Sequence, residues 1–170
     1  METRLELIRK WLLYSIVSLL FVALQALVLA KLRIFSLTPF LLPLIPAILG
    51  SLEQNVQPLG FAVGFGILCD AALPGLFPCI YLLTDVLVVL LVGFISGRLL
   101  TRGFLCSLLT GFAALLLANL IQAAAVLFAG GAALQPLLLR VLSASLLTLP
   151  AVCFMYPLYA FFYRRLHLYD

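Results

Sequence analysis

From Trp11 to Ala30 the chain carries no charged residue, a stretch of about 20 residues that as a helix matches the hydrocarbon thickness of a bilayer. Lipid offers no hydrogen bonds, so every backbone N–H and C=O at that depth must be satisfied internally, and a single segment can do this only as a helix. Arg4, Arg9 and Lys10 precede the run, Lys31 and Arg33 close it, and Trp11 and Tyr14 fall at headgroup level. The run is too long for a removable signal peptide and lacks a small-residue cleavage pattern, so it reads as a true span.

The same constraint extends over the rest of the chain. Of 170 residues, 66% are hydrophobic and 9% charged, against roughly 25% charged in an ordinary soluble domain. At about 20 residues per crossing the chain holds about five to seven spans and no soluble domain. The expected fold is an all-α membrane protein, a bundle of six transmembrane helices forming one domain over residues 1–170, similar to the S-component fold. The spans are expected at 11–30, 35–50, 59–72, 79–97, 104–128 and 135–163. Pro39, Pro43 and Pro46 predict a kinked or broken second span, because each removes a backbone donor. Residues 51–58, the most polar interior stretch, predict a loop. Pro74-Gly75 predicts a tight turn after the third span.

With the N-terminus in the cytoplasm, that side carries Arg4, Arg9, Lys10, Arg98, Arg102, Arg164 and Arg165, and the other side Lys31, Arg33 and Arg140. The imbalance of basic residues predicts both termini inside. The net charge of +4 is thus a topology signal, and nucleic-acid binding is not expected.

Within the third span, Gly60-Phe61-Ala62-Val63-Gly64-Phe65-Gly66-Ile67-Leu68-Cys69-Asp70 combines small residues with a carboxylate. Gly60 and Gly64 at i,i+4 bare one helix face, and Ala62, Gly66 and Asp70 bare another. This helix is expected to be a packing centre, within the chain or against a partner, and a branched side chain at Gly64 is expected to disrupt fold or assembly.

A carboxylate at membrane depth needs a partner, a proton or a wet recess. On the six-span topology Gln25, Asp70, Asp85, Asn119, Gln122 and Arg140 all fall in the outer half, which predicts an outer polar recess. The plainer readings stand beside it. Asn119 and Gln122 can serve as interhelical hydrogen-bonding groups, Asp70 as a turn cap, and Gln25 and Arg140 as glue and interface residues.

Cys69, Cys79, Cys106 and Cys153 lie in or beside apolar segments with no metal-type spacing, and a disulfide between Cys69 and Cys79 is compatible with their short separation. His167, the only histidine, sits in the basic tail. There is no GxSxG, no P-loop, no ExxH and no base beside Ser143 or Ser145, so neither catalysis nor a cofactor is expected.

Gly60-Phe61-x-x-Gly64-x-x-x-x-x-Asp70, a following Pro-Gly turn, and Gly93-Phe94-x-x-Gly97-Arg98 at the end of the next span together resemble the rod-shape-determining MreD family, in detail from about Pro43 to Arg102. That resemblance implies a non-enzymatic scaffold or regulator of cell elongation and lateral peptidoglycan synthesis in a bacterial cytoplasmic membrane. It further implies work with MreC, MreB, a SEDS glycosyltransferase and a transpeptidase. The chain departs from the family pattern at Ala71-Ala72-Leu73, where a more polar turn is the rule, and at Asp85. The alternative is a substrate-binding S-component of an energy-coupling-factor vitamin transporter, which Ala26-x-x-x-Ala30 and the outer polar residues suit and the short Lys31–Thr38 connection does not.

Overall fold

In a computed structural model the protein is all-helical, with no strand among the described residues, which are 4–29, 31, 39–53, 57–73, 77–98, 103–130 and 134–167. Seven α-helices are described: α1 (Arg4–Leu24), α2 (Leu44–Glu53), α3 (Gln57–Ala72), α4 (Ile80–Arg98), α5 (Phe104–Phe128), α6 (Leu134–Thr148) and α7 (Ala151–His167). A single π-helical stretch, Gln25–Leu29, continues α1.

Two helical segments among these residues are long and apolar enough to cross a membrane, Ile8–Leu27 and Phe104–Phe128. A third arises if Gln135–Thr148 and Ala151–Arg165, bent by 48° at the Leu149-Pro150 break, form one span. The outside of the molecule is coated with large apolar side chains, Leu20, Leu27, Leu105, Phe128 and Phe154 among them. Apolar cover on that scale suits lipid and not water.

The second segment departs most from expectation. A span over 35–50 is not what forms. Residues 39–43 are non-helical, α2 begins at Leu44, and 35–38 lie outside the described residues. Pro43 and Pro46 initiate the helix instead of breaking it, since a proline in the first turn gives up an N–H that has no intrahelical acceptor. The polar stretch expected as a loop is also divided: Ser51, Leu52 and Glu53 finish α2, Gln57 and Pro58 open α3, and 54–56 lie outside the described residues.

All ten residues of α2 are buried. Ala47 packs with Val88, Val92 and Ala114, while Leu44, Ile45, Ile48 and Leu49 join the main core with Tyr14, Leu115, Val152, Met155 and Tyr159. Small residues admit this packing. A Cβ on Gly50 would lie 3.3 Å from Val92, and one on Gly111 would lie 3.1 Å from Val152 and 3.3 Å from Leu44. The packing centre is therefore α2, and the glycine-rich α3 lies beside it.

Candidate functional site

The polar residues of the bundle fall into separate stations, each tied to a helix end or a helix pair. At the end of α2, Glu53 accepts a 2.6 Å hydrogen bond from Lys10 Nζ through Oε2 and a 3.1 Å bond from Tyr14 Oη through Oε1. Lys10, Tyr14 and Glu53 are all buried. A carboxylate at a helix C-terminus is disfavoured by the helix dipole, and the Lys10 ammonium supplies the opposing charge. Hydropathy conceals this cluster, because Lys10 looks like a flank of the first span and Glu53 like part of a polar loop.

At the other end of α2, Gln25 uses both ends of its amide. Nε2 donates to Pro39 O at 2.9 Å, and Oε1 accepts from Leu41 N at 3.0 Å. The π-helical stretch that opens at Gln25 and this double bond tie the end of the first helix to the approach to α2. Thr148 Oγ1 accepts from Phe40 N at 3.3 Å in the same approach. The last turn of α2 is joined to α5 by a 2.8 Å bond between the Ser51 and Ser107 hydroxyls.

Asp70, near the end of α3, caps the neighbouring helix α4. Its two carboxylate oxygens accept from Tyr81 N at 3.1 Å and Leu82 N at 3.0 Å, two first-turn donors that lack intrahelical acceptors. Cys79, the residue before α4, has a left-handed φ of 63° and a side chain poorly suited to capping, so the cap comes from the adjacent helix. The same α3 face holds Gly66, where a Cβ would lie 2.5 Å from Leu82 Cα. Backbone approach at that distance makes the Ala62, Gly66 and Asp70 face the one that packs.

The other glycine face is open. Gly60, Val63, Gly64, Ile67, Leu68 and Ala71 are all exposed, and a Cβ on Gly60 or Gly64 would meet nothing within 4 Å. Phe61 turns inward, stacked at 5.6 Å on Trp11 and 5.7 Å on Phe65. On α4, Gly93 has the same open surroundings.

The expected outer recess does not assemble as one site. Asn119 bonds Leu115 O at 2.9 Å and Ser145 Oγ at 3.0 Å, joining α5 to α6, with Gln122 half-buried one turn further along. Arg140 is exposed on α6 and forms no ion pair with either acid among the described residues. Gln25 belongs to the α2 approach. Only Asp70 and Asp85 remain as neighbours, and Asp85 is 3% exposed with Oδ2 lacking a hydrogen-bond partner.

All four cysteines are free, with Cys69 buried and Cys79 exposed. No group of three His, Cys, Asp or Glu side chains able to hold a metal ion occurs among the described residues. The Pro74-Gly75 turn, the 32–38 part of the first connection and Ala30 lie outside those residues. No family model matches this chain, and no curated protein or solved structure matches it.

Proposed function

We propose that this protein is a non-enzymatic, six-span scaffold of a bacterial inner membrane, with both termini in the cytoplasm, that serves cell elongation in the manner of MreD. In this reading its α3 docks the transmembrane helix of an MreC-type partner. One observation carries the reading: the Gly60/Gly64 face is exposed and empty while the opposite face of the same helix is packed to backbone distance. Small residues at i,i+4 on an open, apolar helix face permit close approach of a second helix, which in lipid gains from packing that a leucine-covered face cannot offer. Val63, Ile67 and Leu68 supply apolar flanks to that groove.

The test is capture of MreC by the wild type and by Gly60→Leu and Gly64→Leu variants in the native host. The expected result is normal membrane accumulation of the variants with loss of co-purified MreC, and rounding of rod-shaped cells on depletion. Undiminished capture by both variants overturns the docking face. A second reading, the vitamin-binding S-component, draws on one observation, the open oxygen of Asp85. Depletion that produced vitamin auxotrophy with rod shape intact would favour it.

A further inference from the structure

Among the described residues two buried side-chain oxygens lack a hydrogen-bond partner, Gln57 Oε1 and Asp85 Oδ2, and of the two only Asp85 can ionise. Oδ2 is buried without a hydrogen-bond partner, and no cation pairs with the carboxyl group among the described residues. An ionised carboxylate so placed would have to be stabilised by donors or by a positive charge, at a desolvation cost of at least several kcal/mol if neither is supplied.

The helices packed against α4 supply neither. On α3 the groups within electrostatic reach are Cys69 and Asp70. Asp70 already receives the two first-turn N–H groups of α4, and no donor among the described residues reaches Oδ2 of Asp85. On α2 the one titratable group is Glu53, at the far end of that helix and bonded to Lys10 and Tyr14. On α5 it is Cys106, beside Ser96 and about 16 Å along α4 from Asp85 by helix rise. On α4 itself, Tyr81 lies one turn before Asp85 and adds no positive charge. The Thr84 hydroxyl is turned to Ile80 O at 2.7 Å.

We infer that Asp85 is a proton-binding site: the folded protein takes one proton from water onto this carboxyl group and holds it as a neutral acid between α3 and α4. One O–H bond forms and one hydronium becomes water. The proton is the ligand that this donor set fits. A metal cation demands several oxygens around it, and the other carboxylate nearby is occupied by backbone N–H groups. The inference is independent of the scaffold reading, since it concerns the occupancy of one carboxyl group and not a partner.

Infrared spectroscopy of the purified full chain in lipid at pH 7 reads this directly. The wild type should show the carbonyl band of a protonated carboxylic acid, shifted in heavy water, and Asp85→Asn should lose that band while its carboxylate bands stay unchanged. Asp70→Asn should do the reverse, losing carboxylate intensity and keeping the acid band. Loss of carboxylate intensity in Asp85→Asn, or an acid band that persists in it, overturns the proposal. So does a wild-type spectrum without an acid band, which needs no variant to fold.

Discussion

Helices α2 and α3 are neighbours in sequence and packing, yet they use their residues in opposite ways. α2 has two prolines at its start and an acid at its end, features that suggest a poor membrane helix, and all ten of its residues are buried. α3 has three glycines and reads as the obvious packing element, but half of its surface faces outward. Burial in this molecule is therefore decided less by the hydrophobicity of a segment than by whether its polar ends find partners. Lys10, Tyr14 and Gln25, all on the first helix and its continuation, provide those partners for α2.

The sharpest way to break this contrast is to remove one member of the buried pair. Glu53→Gln or Lys10→Met should each cost about 3–5 kcal/mol in denaturant unfolding in micelles, because the remaining buried charge loses the counter-charge it meets at 2.6 Å. The double change Lys10→Met with Glu53→Leu should recover most of that loss. Single variants that unfold like the wild type would mean that the buried Lys10–Glu53 pair does not hold α2.

A smaller effect is expected on α3. Gly66→Ala places a methyl group against the Leu82 backbone and should destabilise by about 1–3 kcal/mol, measured in the same way. Asp70→Ala should cost about 1–2 kcal/mol by uncapping α4, and Asp70→Asn less, since one amide oxygen can still accept a bond. If Asp70→Asn keeps both its stability and MreC capture, Asp70 serves the fold and not a charged contact.

The smallest effect should come from the open face. Gly60→Ala adds a methyl group to empty space and should leave stability unchanged or raise it by up to about 1 kcal/mol through helix propensity. The expectation that Gly64→Leu disrupts fold or assembly narrows to assembly, since a Cβ at Gly64 would meet nothing within 4 Å. A cost above about 1 kcal/mol for Gly60→Ala would erase the difference between the two α3 faces.

What the sequence conveyed follows from which interactions are local. α5 runs from Phe104 to Phe128 as anticipated, because Gly103 and Gly130 bracket a long apolar run and no distant group intervenes. Of the two prolines in the last expected span, Pro150 stands where the chain bends and Pro157 lies within α7. α2 was not legible. Its prolines change meaning with their position in the helix, and Glu53 finds its cation 43 residues earlier in the chain, a pairing that periodicity does not encode. Of the residues expected in one polar recess, Asp70 and Asp85 lie within electrostatic reach of each other. Gln25, Asn119 and Arg140 scattered, because similar depth does not imply the same side of a bundle.

The full burial of α2 also dictates an order of assembly. Ten helical residues reach about 15 Å, half of a hydrocarbon core of about 30 Å, so α2 cannot settle across the bilayer when it emerges from the ribosome. Its Ser51 partner is made 56 residues later, and its contacts on α7 come later still. Synthesis runs from the N-terminus, so the contacts that bury α2 are completed only once α5 and α7 have been produced. A chain cut short after α4 would lack the α5 and α7 side chains that complete the burial of α2.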